Sequence, residues 1–136
     1  MRLDEERARS LFGAARVARL ATVGEEGQPH LVPVVFALQG SVVVLAVDHK
    51  PKQSTDLKRL RNIRANPRVS LLADHYDENW THLWWVRADG DARVLTGPAT
   101  TEPLEWLIAK YHQYLAKPPD GPVVRIDITT WRGWAY

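Results

Sequence analysis

A chain of 136 residues with 45% hydrophobic and 25% charged residues has the size and balance of one folded domain, which excludes a disordered protein. Its 18 basic and 16 acidic residues leave a net charge of only +2, which argues for a local anion site over a surface coated for nucleic acid. The absence of cysteine excludes disulfides, thiolate chemistry and sulfur-ligated metals, so any reaction falls to a cofactor or to histidines and carboxylates.

Residues 3–15 place Leu3, Leu11, Ala14 and Ala15 among Glu5, Glu6, Arg7 and Arg9, with the acids early, as an amphipathic N-terminal helix requires. Charges at Arg2, Asp4, Glu5 and Glu6 do not suit a signal peptide, and no apolar run approaches ~20 residues. A cytoplasmic protein without a membrane partner is expected. From Val17 the pattern becomes VARLATV, a turn at 24–27, PHLVPVVFAL, a turn at Gln39–Gly40, and SVVVLAV, predicting three successive antiparallel strands. Pro33 implies a sheet edge or a local break in pairing, which leaves backbone groups free for the polar edge of a planar ligand.

The stretch from Asp48 to Leu72 carries Lys50, Lys52, Lys58, Arg59, Arg61, Arg64 and Arg68 against only Asp48 and Asp56. Its local charge is therefore +5, more than the whole chain's net charge. Ser54, Thr55 and Asp56 offer oxygens where a helix N-terminus wants them, and Leu57, Leu60 and Ile63 supply the apolar stripe. Asn66–Pro67 ends that helix and Arg68–Ala73 reads as a strand. Lysines, free helix N–H groups and the positive end of the helix dipole converge here on one place for an anionic group.

Residues 75–79 read as a polar loop, followed by a hairpin of HLWWVRA and DARVLTG turning at Asp89–Gly90. Residues 101–116 predict one helix with Pro103 in its first turn, and Trp106, Tyr111 and Tyr114 on it are read as core. PVVRIDITTWRGWAY closes the chain as a strand and a short aromatic tail. Six or seven strands interrupted by three helices predict an α+β domain built on an antiparallel barrel or curled sheet, spanning residues 1–136.

The histidines lack metal-ligand spacing, so no metal is expected. No nucleophile motif is present, and one compact basic segment predicts no nucleic-acid partner. His30, Trp80, Trp85 and Trp134 are candidate substrate contacts, with core, interface or solvated roles as their alternatives.

The succession RLATVGEEGQPHLVPVVFAL, SVVVLAVDHKPKQ, LKRLRNIRANPRVSLL closely resembles the flavin-reductase-like split barrels of the pyridoxamine 5′-phosphate oxidase class. The short RNIRANPRVS form is similar to actinobacterial members that use the deazaflavin coenzyme F420. The resemblance implies an FMN-binding type of split barrel, a homodimer with cofactor sites in clefts between subunits, and an oxidoreductase acting on a small molecule. It implies that reduced F420 gives hydride to an unsaturated or conjugated substrate; FMN chemistry on the same fold, or a non-catalytic F420 carrier, are the alternatives. Arg59 falls where the family usually has a lysine, three residues before the matching Asn62, and both are implied to hold the cofactor phosphate. Lys50, Lys52 and Lys58 are implied as further phosphate or tail contacts, and Val32, Pro33, Val34 and Val35 as backbone contacts to the ring. The catalytic residue is left unassigned.

Overall fold

The computed structural model describes residues 1–47 and 57–136. Among them, seven strands form one antiparallel sheet in the order β2-β1-β5-β6-β7-β4-β3. The strands are β1 Ala18–Val23, β2 Pro29–Val34, β3 Ala37–Gln39, β4 Val42–Ala46, β5 Arg68–His75, β6 Trp84–Leu95 and β7 Val123–Ala135. The helices are α1 Glu5–Ala14, α2 Lys58–Ala65, α3 Thr101–Lys110 and α4 Gln113–Ala116. The α+β class and the antiparallel sheet expected from the sequence are observed.

Alternation along the strands gives the sheet two faces. Leu20, Val43, Leu45, Leu71, Val86, Ala88, Val124 and Ile126 point inward, where Phe12 of α1 and Leu60 and Ile63 of α2 join them. Asp4 caps α1 by accepting from the Arg7 N–H at 2.8 Å, and Glu5 and Glu6 occupy its first turn. On the outer face a second cluster of Ala37, Val44, Ala46, Leu107, Tyr111 and Val123 seats α3 over β3, β4 and the start of β7. The outer face of β2, β1, β5 and β6 has no such cover among the described residues, and Leu31 there is 66% exposed.

Four sequence expectations are corrected. PHLVPVVFAL is not one strand: β2 ends at Val34 and β3 begins at Ala37, because the Phe36 N–H and C=O bond to the Tyr111 hydroxyl instead of a neighbouring strand. The predicted helix over 101–116 breaks at the same hub, with Tyr111 as C-cap in extended geometry. Asp89–Gly90 is not a hairpin turn but a register shift inside the continuous strand β6, where the Asp127 carbonyl of β7 occupies the space a Cβ on Gly90 would need. The aromatic tail is the second half of β7, with Trp131 buried at 7% and edge-to-face on Phe12 at 5.4 Å.

Candidate cofactor site

The structure divides the residues of the basic segment. Lys50, Lys52 and the expected cap residues Ser54, Thr55 and Asp56 lie outside the described residues. The N-cap of α2 is Leu57, which supplies no side-chain cap bond. Lys58 pairs with Glu26 in the β1–β2 turn, and hydrogen bonding from that lysine holds the Glu26 carboxyl below its ordinary range. Asn62 is 2% exposed, and its Nδ2 donates to Thr22 Oγ1 at 3.0 Å, so its position is beneath the helix.

Arg59 takes a different course. It lines a small cavity of about 190 Å³ with Val17, Pro33, Val34, Val35 and Ala46. Three of the four residues expected along the ring-contacting strand thus meet the expected phosphate ligand, although they lie far apart in sequence. Val32 is the exception, half-buried against the inner core. Pro33 sits on β2, an edge strand of the sheet, as its missing N–H favours. Its lining side chains are apolar except that of Arg59, which comes from α2. Such a lining suits a planar apolar body that ends in an anion.

The segments flanking the cavity are tied together from α3. The Tyr111 hydroxyl accepts the Phe36 N–H at 3.1 Å and lies 2.9 Å from both the Phe36 and the Arg16 carbonyl oxygens. Lys110 Nζ donates to the Ala15 carbonyl at 2.7 Å and stands 3.8 Å from the centre of the Phe36 ring. Burial, with the neighbouring Arg16 charge, pushes the Lys110 pKa down to about 8. Burial pushes the Tyr111 phenol up. Sequence reading placed Tyr111 in the core and stopped there; a buried tyrosine must also find partners for its hydroxyl, and that was the available signal.

The expected substrate residues do not converge within one chain. His30 is half-buried on the inner face opposite buried Thr22. Trp85 and Trp134 are paired across β6 and β7 on the opposite, outer face. Trp80 is 71% exposed at the start of a 3-10 turn, Trp80–His82, beside which His75 Nε2 and His82 Nδ1 both bond Asp77 Oδ2, at 3.0 and 3.1 Å. These bonds, with His82 the larger contribution, hold the Asp77 carboxyl below its ordinary value. Among the described residues, no group of three or more His, Cys, Asp or Glu side chains forms a metal site. No helix among them is long and apolar enough to cross a membrane.

A larger cavity of about 550 Å³ lies on the uncovered outer face, lined by Ser70, Arg68, Arg87, Asp89, Asp91 and Thr130 among others. Register places Pro33, Arg19, Leu72, Arg87 and Arg132 in one row across five strands of that face. Pro33, which ends this row on β2, also lines the Arg59 cavity, so the two meet at that residue.

The family model for pyridoxamine 5′-phosphate oxidase matches residues 4–135. A conserved hypothetical protein from Mycobacterium tuberculosis superposes with a TM-score of 0.78 at 24% identity, covering 98% of this chain and 85% of its own. A FAD-binding protein from Mesorhizobium loti gives a TM-score of 0.74 at 24% identity, covering 98% and 95%. The heme storage protein HutZ from Vibrio cholerae gives 0.71 at 14%, covering 96% and 93%. The fold is the split barrel these structures share. No curated protein matches the chain.

Proposed function

The chain belongs to the pyridoxamine 5′-phosphate oxidase family, and on that premise we propose that it is an oxidoreductase that binds the deazaflavin coenzyme F420. The single observation that carries this reading is the meeting of Arg59 with Pro33, Val34 and Val35 around one cavity. When bound, the reduced deazaflavin supplies the hydride for an unsaturated or conjugated organic substrate. The chain supplies the rest: Arg59 holds the anionic end, the Pro33–Val35 segment fixes the plane of the ring, and Val17 and Ala46 exclude water from one side.

A cavity of about 190 Å³ takes only part of such a cofactor. We therefore place the remainder against a second copy of the chain. The exposed Leu31 and the 37% exposed Leu72 on the uncovered outer face support a homodimer through that surface. Trp85 and Trp134 lie on the same face, where they would border the partner's cleft.

A flavin in place of the deazaflavin is the second reading, favoured by the FAD-binding protein among structures with this fold. Titration of the protein with F420 and with FMN, followed by tryptophan fluorescence, separates the two. Micromolar F420 binding with weak FMN binding supports the proposal, and the reverse order moves the chain to flavin chemistry. Arg59→Ala is expected to weaken binding of the preferred cofactor by about 1.5–3 kcal/mol, the range for a charge-assisted hydrogen bond. Unchanged affinity removes Arg59 from the site. Turnover of reduced F420 with a panel of conjugated substrates distinguishes an enzyme from a carrier.

A further inference from the structure

We propose that Tyr111 is a positioning residue for the Arg59 cavity: its hydroxyl fixes the spacing between the two backbone segments that form the ring-side walls. The inference rests on the reading of that cavity as the cofactor site. Val17 and Val35 line the cavity, and the residues next to them, Arg16 and Phe36, are the two whose backbone groups meet the Tyr111 oxygen. Tyr111 is 6% exposed, and its hydroxyl bonds in the gap between β2 and β3, where Phe36 is fully buried and off the strand ladder.

A buried backbone N–H and C=O without partners are costly, so something must replace the missing strand neighbour at Phe36. The Tyr111 oxygen does so, accepting from the N–H with a lone pair. Its single proton serves the Phe36 and Arg16 carbonyls, both at 2.9 Å. The phenol therefore joins the end of β2 to the start of β1 without any direct bond between Arg16 and Phe36 being needed.

The end of α3 is fastened to the same two segments by its neighbours. Lys110 donates to the Ala15 carbonyl and packs its ammonium on the Phe36 ring. Arg16 returns a bond from its Nη2 to the Lys110 carbonyl at 3.0 Å and lays its guanidinium 4.6 Å from the Tyr111 ring centre. Arg59 reaches the cavity from another element, α2. The clamp thus governs the walls along the ring, while the anion end is set from elsewhere.

That division gives the test. Tyr111→Phe keeps the ring and removes the hydroxyl. It is expected to weaken binding of the cofactor that wild type prefers by about tenfold, in line with one lost hydrogen bond, and to shift the absorption band of the bound ring. Competition by inorganic phosphate should stay at its wild-type strength. A merely structural role would lower the melting temperature and leave cofactor affinity and the bound spectrum as in wild type; that result overturns the proposal. So does an equal loss for phosphate and for the whole cofactor. If Tyr111→Phe does not fold, Lys110→Met loosens the same corner and is expected to give a smaller loss confined to the ring-bearing ligand; no loss, or an equal loss for phosphate, overturns the proposal. Failure of wild type to bind either F420 or FMN overturns the reading of the cavity itself, and the clamp falls with it.

Discussion

Asn62 Nδ2 donates to Thr22 Oγ1 at 3.0 Å, and with 2% and 3% exposure the helix amide and the strand hydroxyl satisfy each other out of reach of solvent. The pair is wedged against Gly24, where an added Cβ would overlap Asn62 Oδ1. Gly24→Ala is therefore expected to destabilise the fold by about 1–3 kcal/mol, the usual cost of overpacking. Urea unfolding measures it. Because the clash is with the amide, the same substitution made in an Asn62→Ala background should cost little; an equal cost in both backgrounds would show that the strain lies in the Gly24 backbone.

Gly90 makes a different demand. A Cβ there would strike the Asp127 carbonyl and approach Asp127 C and Ile128 Cα to 3.0 Å, and backbone cannot swing aside as a side chain does. Gly90→Ala should cost at least about 1–3 kcal/mol, no less than Gly24→Ala, as read from the same denaturation midpoints. A cost below that of Gly24→Ala would mean that the β6–β7 register shift yields easily.

Lys58 stands in an exposed ion pair. Its partner is Glu26, and the two side chains are 38% and 54% exposed. Exposed pairs contribute about 0–1 kcal/mol, so Lys58→Ala should move stability by no more than that. Cofactor affinity should change far less than on Arg59→Ala. A loss as large as that of Arg59→Ala would bring Lys58 into the site.

Lys110 makes stability depend on pH. Its folded pKa of about 8 lies below the ordinary 10.5, so between those values the unfolded chain holds more protons than the folded one. Stability arising from this group must then rise as pH increases through that window. The stability of wild type relative to Lys110→Met should accordingly shift in favour of wild type between pH 7.5 and 9.5, as measured by guanidinium unfolding at both values. A shift the other way contradicts the assigned direction. Tyr111 opposes the trend only as pH passes 10.0, because its phenol is pushed upward.

What the sequence made legible followed local periodicity. Strand-forming runs located β1, β4 and β5, the apolar spacing of Leu60 and Ile63 located α2, and Pro33, read as a sheet edge or a break in pairing, lies on an edge strand. The misreadings share one cause, which is hydrogen bonding or crowding from a distant part of the chain. An Asp–Gly pair has the chemistry of a hairpin turn, yet Gly90 is required by a carbonyl from β7. Nothing near Phe36 announces that its backbone will bond to the phenol of Tyr111, and nothing near Tyr111 announces that its helix will stop for that purpose. For the site, charge pattern and resemblance brought Arg59 and the Pro33–Val35 segment forward, but Val17 and Ala46 are small apolar residues like many others. Only the fold brings them to that cavity.

Strand β7 gives the molecule a seam. It lies between β6 and β4, pairing Leu95 with Val123 on one side and Ala46 with Val123 on the other, and it is the sole ladder joining β2-β1-β5-β6 to β4-β3 among the described strands. Its far end is also stitched to the chain's first residues, through Leu3 N–H to the Gly133 carbonyl and through Met1 to Ala135. Peeling this one strand away would leave two separate sheets with raw edges, each exposing backbone donors and acceptors that invite pairing with another molecule. The pairing of Val44 with Arg125 joins residues far apart in the chain, and contacts of such long range slow folding.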